Sequence, residues 1–356
     1  MEIENVNIYD LVLEQIEKLI TKLQQALNIV KFRKKTISRT ASYEKEKIIC
    51  PHCQSEKVIK YGHTKDGIQN YKCKDCYKKF NALTNTVFTA TRLTYDQILT
   101  FLKCFKDKIS LRKTAKRMGV NKNTVFLLRQ KMMNALKEKR ENIKLSGEVE
   151  CDEIYESINL KGTKPKQMPR FSKPRQSNGT TKRGINSHKV CIASAIDEND
   201  NMFMEIVGTG PISSDMAIQS LSPKLGKITK FVTDCKSSYE KLAKDRRLNL
   251  KQIKAKGYTD SEHNSLANIN SVHSEWSKFL SHFRGVSTKH LQGYLDWFCF
   301  DKYLNFSLED NKQINTLLKK SMTVSTTINI NNVYSNYSGL DFYKIYSDYL
   351  YPSTTN

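Results

Sequence analysis

The stretch GEVECDEIYESI, residues 147–158, decides the fold, because it reads as a β-strand with acids through its middle. Side chains alternate along a strand, so Glu150 and Asp152 share one face while Glu153 points the opposite way. Downstream, KVCIASAIDENDNMFMEIVG (189–208) reads as two strands around the turn DENDN, and a short helix follows near 213–221. KITKFVTDCKSSYEKLAKD (227–245) reads as a strand ending at Asp234 and running into a helix. LKQIKA (250–255) is a further short strand, and another helix opens near Asn268. Strands alternating with helices place this half of the chain in the α/β class. From Ser307 onward Asn, Ser, Thr and Tyr dominate, and residues 320–356 read as weakly structured, although DFYKIYSDYLY (341–351) has the composition to pack.

Outside this half the texture changes. At 356 residues two or three units are expected, and 38% hydrophobic residues suffice for real cores. No run of eighteen apolar residues would span a membrane. The opening MEIENVNIYD lacks the layout of a secretory signal, so a cytosolic protein is expected. Its nine cysteines are then thiols or metal ligands rather than disulfides. The formal charge is +23 and strongly segregated: residues 31–144 hold 29 Lys/Arg against 9 Asp/Glu. Segregation of this kind is what a phosphate-binding module needs and a merely solvated surface does not. A second basic segment, residues 161–189, carries nine Lys/Arg and no acid. Through Lys173, Arg175, Lys182 and Arg183 it would grip DNA; a linker without function is the alternative.

Residues 8–31 look helical, with Leu13, Ile16, Ile20, Leu23, Leu27 and Val30 spaced like a coiled-coil seam, for dimerisation or for docking on a neighbouring domain. In CPHCQSEKVIKYGHTKDGIQNYKCKDC (50–76), Cys50 and Cys53 form one knuckle and Cys73 and Cys76 another, with nineteen residues between. Four thiolates complete a tetrahedral zinc site, structural because no position stays open. The segment between alternates like two strands with Asp66-Gly67 as the turn, which is the layout of a zinc ribbon, and His52 and His63 are bystanders.

SLRKTAKRMGVNKNTVFLLRQKMMNAL (110–136) resembles a helix-turn-helix, with Ala115 small at the crossing, Gly119 in the turn, Val125 as apolar anchor and Asn121 or Asn123 as cap. Lys122, Asn123, Thr124 and Arg129 would face a major groove, with Arg112, Lys113, Lys116 and Arg117 near phosphates.

Three strands, a helix, a fourth strand and more helix resemble the RNase H-like fold. With ECDEIY, FVTDCKSSY and NINSVHSEWSKFL…FRGVSTKHLQGYL, residues 45–305 look like the DDE-type insertion-sequence transposases of the zinc-ribbon kind. The resemblance implies a first carboxylate at Asp152, a second at Asp234 and a third ligand from a late helix. In-line cutting of a phosphodiester uses two hard cations about 4 Å apart, which Mg²⁺ or Mn²⁺ supply in a cage of oxygens. At the third position, where the family has Glu or in some branches Asn, this chain has His273, with Asn270 one turn earlier on the same face. Glu275 lies about 200° round the helix from His273 and faces elsewhere. Where the family has a basic residue stands Leu280, with Lys278, His282 and Arg284 as nearby candidates. Glu150 would be an outer acid and Glu153 outside the site; Cys151, Cys191, Cys235 and Cys299 read as small buried residues.

The expected organisation is a helical leader (1–44), a zinc ribbon (45–85), a helix-turn-helix module (90–142), the catalytic domain (145–305) and a polar tail (306–356). The implied function is DNA transposition: recognition of double-stranded element ends, cleavage and strand transfer, with structural Zn²⁺, catalytic Mg²⁺ or Mn²⁺, and a homodimer or higher oligomer. Its rivals are a catalytically inactive, domesticated DNA-binding regulator and a nuclease without strand transfer.

Overall fold

The computed structural model describes residues 13, 15–24, 26–27, 48–64, 67–89, 91–159, 189–254, 264–283, 285–307 and 310–323. The basic segment with Lys173, Arg175, Lys182 and Arg183, most of the tail, Val30 and Arg284 lie outside the described residues. The chain divides into two compact units: residues 1–107, 113–125 and 314–327 form one, and 108–112, 126–313 and 328–356 the other. Among the described residues no helix is long and apolar enough to cross a membrane.

In the first unit residues 15–24 are helical, and Leu13, Ile16, Ile20, Leu23 and Leu27 are all exposed. Three short antiparallel strands follow: β1 (Val58–His63), β2 (Gln69–Cys73) and β3 (Lys79–Asn81). Gly67 takes a left-handed φ of 79° at the β1–β2 turn, where Thr64 N donates to Ile68 O. Helix α1 (Tyr95–Lys106) opens on a capping box in which Thr94 accepts from Gln97 N. Helices α2 (Leu111–Met118) and α3 (Lys122–Asn142) flank the turn at Gly119, φ 65°, and Asn121 Oδ1 accepts from Asn123 N. Ala115 and Val125 are buried there, as the spacing requires.

The second unit is built on a five-stranded mixed sheet: β4 (Leu145–Ser157), β5 (Lys189–Asp197), β6 (Met202–Thr209), β7 (Leu225–Asp234) and β8 (Leu250–Ile253), in the order β6-β5-β4-β7-β8. β4 is central, antiparallel to β5 and parallel to β7. On one face α4 (Ser214–Leu221) and α5 (Ser237–Arg246) pack Ala217, Leu221, Tyr239 and Leu242 against Val149, Cys151, Ala193 and Phe231. α6 (Ala267–Ser281) and α7 (Thr288–Ser307) share an aromatic core, in which Trp276 meets Phe298 and Phe279 meets Trp297 edge to face. Gln292 of α7 satisfies the backbone of edge strand β6, donating to Met204 O and accepting from Ile206 N. Arg140 of α3 pairs with Asp296 and Glu205 in the same unit.

Two expectations change. The tail begins with a helix, α8 (Asp310–Thr323), whose Leu317, Leu318 and Met322 are buried at helical spacing. Cys235 is exposed, while Cys151 and Cys191 are buried and Cys299 is half-buried.

β4 enters the sheet through a bulge at Gly147, where its register against β7 shifts and φ is 69°. A Cβ there would run into the Glu198 carboxylate. Gly147→Ala should therefore cost about 1–3 kcal/mol, mostly backbone strain. Denaturation with and without a second Glu198→Ala change checks this: if removing that carboxylate restores full stability, the backbone is not the cause.

Candidate active site and metal centres

β4 stops pairing with β7 at Cys151, opposite Thr233, so Asp152 projects where β7 is about to end at Asp234. Residues 150, 152, 154 and 156 of β4 share the face towards α6. Glu150 accepts from Ile269 N at 2.9 Å and from Asn268 Nδ2 at 2.7 Å. Glu156 accepts from Trp276 Nε1 at 2.9 Å. The position before α6 is Leu266, which offers no capping side chain, so Glu150 performs that task from the sheet. Burial, partly offset by these bonds, raises the Glu150 carboxyl above its ordinary range.

Between these two anchors Asp152 meets His273. Ser194 Oγ, on β5 directly opposite Asp152, donates to Asp152 O at 2.7 Å and contacts His273 Nε2 at 2.6 Å. Its single proton is thus committed, and His273 Nε2 must be the donor in the second bond. Burial holds the imidazole down at about 4, so it is neutral and its Nδ1 keeps a lone pair. That lone pair lies 3.9 Å from Asp152 Oδ2. Two acceptors facing each other across that gap suit a shared cation.

On the other side stand Glu153 and Asp234. Oxygens of Asp152, Glu153 and Asp234 lie within 4.8 Å of one another. Glu153 does leave the opposite face of β4, as alternation dictates, but the end of β7 lets it reach the cluster. The expectation that it lies outside the site is corrected. It is buried, accepting from Tyr155 Oη at 2.9 Å and Tyr239 Oη at 2.6 Å. Lys236, two residues after Asp234, pairs with Asp234 Oδ2 at 2.8 Å and with Glu153, and approaches Asp152 Oδ1 at 3.9 Å. Burial alone would lower the Lys236 ammonium, but its bonds to Asp234 and Glu153 carry it above the ordinary lysine range. Burial, added to by the charges of Glu153 and Asp234, raises Asp152 to about 6. Asp234 Oδ1 is buried without a hydrogen-bond partner. An unpaired carboxylate oxygen among three acids fits a hard divalent cation.

Asn270 does not join this group: it is exposed, and no hydrogen bond links its side chain to the acids. Glu275 pairs with Lys302 at 2.5 Å, away from the site. Lys278 is exposed, and His282 Nδ1 lies against the carbonyls of Lys278 and Phe279 in its own helix. Sequence reasoning missed Lys236 and Ser194, although Lys236 stood in the quoted FVTDCKSSY.

In the first unit the Sγ atoms of Cys50, Cys53, Cys73 and Cys76 lie within 4.8 Å of one another. The two knuckles are built alike. Cys50 N donates to Ser55 O and Cys73 N to Lys78 O, and Gln54 and Tyr77, each following a second cysteine, have φ of 62° and 58°. Backbone N–H groups of Cys76 and Asp75 aim at Cys73, the first of them contributing most, and hold its thiol down at about 6. On Cys53 a backbone hydrogen bond from Ser55 is outweighed by desolvation and then by the neighbouring thiols, which push the thiol up. Four converging thiols with backbone donors fit zinc.

Of the residues expected to touch DNA, Arg112, Lys113, Lys116, Arg117, Lys122 and Asn123 are exposed and Thr124 is half-buried. Arg129 is a correction. It is 3% exposed, donates to Ile109 O, and stacks over Phe283 and Trp297 at 5.6 and 5.4 Å from the ring centres. It is a core cation rather than a reader of bases.

Comparison with known proteins bears on these features. Residues 144–302 match the family described as ISXO2-like transposase domain. Over 264 residues the chain is 29% identical to an uncharacterized protein in transposable element ISH50 of Halobacterium salinarum, covering 70% of this chain and 83% of that one. Among solved structures, a pre-cleavage Mos1 transpososome shares 13% identity, with 63% of this chain and 76% of that chain covered, at a TM-score of 0.27. The Mos1 strand transfer complex shares 14%, with 65% and 77% covered, at 0.26.

Two outcomes are expected. Purified protein should carry about one zinc per chain, and Cys73→Ser should lose it while the sheet of the second unit stays folded; metal analysis of carefully handled protein decides. Glu150→Gln, which offers one acceptor where two are used, should weaken the start of α6 by about 1–3 kcal/mol. Hydrogen exchange over residues 267–272 should then quicken selectively, and unchanged exchange would reject the tie.

Proposed function

The domain match and the halobacterial relative support a DDE-type insertion-sequence transposase, and on that premise we propose that this protein binds the double-stranded ends of its element, cuts a strand there and joins the freed 3′-OH to target DNA. The observation that carries the reading is the meeting of Asp152 from β4 with Asp234 at the end of β7 around the unpaired Asp234 Oδ1. The strand order β6-β5-β4-β7-β8, antiparallel on one side of β4 and parallel on the other, is the order expected of an RNase H-like domain.

Asp152 and Asp234 would hold Mg²⁺ or Mn²⁺. When bound, such ions activate a water or 3′-hydroxyl nucleophile and stabilise the leaving oxygen. His273 faces the site through Nδ1, with Ser194 fixing its tautomer. Glu153 adds a third carboxylate, and Lys236, paired with Glu153 and Asp234 and near Asp152, offsets part of their charge. Lys122, Asn123 and Thr124 would read bases, while Arg112, Lys113, Lys116 and Arg117, with the 161–189 segment, would hold phosphates. The zinc-bound ribbon stiffens that basic module, and the exposed stripe from Leu13 to Leu27 is the seam for a dimer able to hold two ends.

One observation favours a second reading. Lys236 already neutralises part of the acid cluster, as it would in a regulator that binds ends without cutting. Cleavage and joining assays on element-end DNA separate the two. Asp152→Ala and Asp234→Ala should abolish both reactions. His273→Ala should slow them on the order of a hundredfold, and His273→Glu should narrow the preference for Mn²⁺ over Mg²⁺. Glu275→Gln should change little. Wild-type protein that binds ends yet cuts nothing in either metal points to the regulator; a dead Glu275→Gln beside an active His273→Ala overturns the assignment of the helix face.

A further inference from the structure

The ribbon sheet has two faces, and only one is used by its core. Tyr71 and Phe80 stack at 5.6 Å on the inner face, packed with Cys50 and Cys73. On the outer face Ile59 lies opposite Lys72, and Lys72 opposite Lys79. Tyr61 joins them, its ring centre 4.1 Å from Lys79 Nζ and 5.6 Å from Lys72 Nζ. Tyr77, set outward by its left-handed φ of 58° in the second knuckle, has its ring centre 5.8 Å from the same Lys72 Nζ.

The result is a small plate of two tyrosine rings interleaved with two ammonium groups. Tyr61 is 44% exposed, Tyr77 72% and Ile59 40%. The three strands contain no Asp or Glu. Phosphate attraction alone would explain the lysines but not the rings. In a duplex the base faces are stacked away, and only edges are open in the grooves. An unpaired nucleotide offers both parts at once: a flat π-face for a tyrosine and a phosphate for the lysine beside it.

We propose that this outer face binds unpaired nucleotides of the DNA on which the protein acts, stacking bases on Tyr61 and Tyr77 while Lys72 and Lys79 hold the adjoining phosphates. The proposal rests on the reading of the protein as a DNA-acting transposase, whose cuts would expose such single-stranded ends.

The test compares full-length protein on a blunt duplex and on the same duplex with a short single-stranded overhang, at fixed salt. Wild type should prefer the overhang. Tyr61→Ala and Tyr77→Ala should each cut that preference about tenfold, leaving blunt-duplex affinity and zinc content unchanged. Tyr61→Phe and Tyr77→Phe, which keep the ring, should retain it. Lys72→Ala should weaken overhang binding most at low salt. Absence of a wild-type preference, or equal losses on both DNAs in the alanine variants, overturns the plate. Failure of blunt-duplex binding in wild type would instead strike the transposase reading itself, which the cleavage assays test separately.

Discussion

The arrangement of the second unit turns on one carboxylate. Glu150 leaves the central strand two residues before Asp152 and accepts from the first turn of α6. An N-terminal turn presents unsatisfied N–H groups and the positive end of the helix dipole, and Leu266 satisfies none of them. Ser265 Oγ accepts from Ala267 N, but without Glu150 the N–H of Ile269 would depend on water. With it, and with Glu156 holding the indole of Trp276 further along, the helix is tied to β4 at two points. A helix so fixed cannot rotate by one position, so His273 faces Asp152 while Asn270 and Glu275 do not.

The same strand imposes an electrostatic constraint. Asp152, Glu153 and Asp234 stand within 4.8 Å, and like charges this close raise one another's affinity for protons or demand a cation. Lys236 answers part of that demand, and burial, with the charges of Glu153 and Asp234 added to it, still raises Asp152 to about 6. Such a cluster is held together by its surroundings rather than by its own contacts. Tyr155 and Tyr239 donate to Glu153, and Ser194 ties down the backbone at Asp152.

Much of this was legible in the chain. Alternation around residue 150 predicted which acids share a face, the turn DENDN marked the hairpin, and the strand ending at Asp234 was visible, though its parallel pairing with β4 was not. What sequence could not show was where strands stop. Glu153 was set aside on parity alone, and parity was right; the end of β7 brings the two faces of β4 together at that point. Arg129 illustrates the converse error. Its neighbours in sequence are basic and exposed, but its partners, Phe283 and Trp297, lie about 150 residues away. Helical spacing at Ile314, Leu317, Leu318 and Met322 was visible in the tail and was masked by its polar composition.

The placement of Glu153 also bears on why an imidazole stands where the resemblance calls for a carboxylate. With two acids in the site, a third from α6 would complete the usual set. Here the third acid already comes from β4, next to Asp152, so another from α6 would make four carboxylates against a single lysine. Desolvated charge of that size is costly unless paired. A neutral ring costs nothing of this kind: burial keeps His273 uncharged, and the hydrogen bond to Ser194 keeps its Nδ1 lone pair pointed at Asp152. On the proposed reading, His273 and Glu153 together supply what one carboxylate supplies elsewhere, a donor atom from one and a charge from the other.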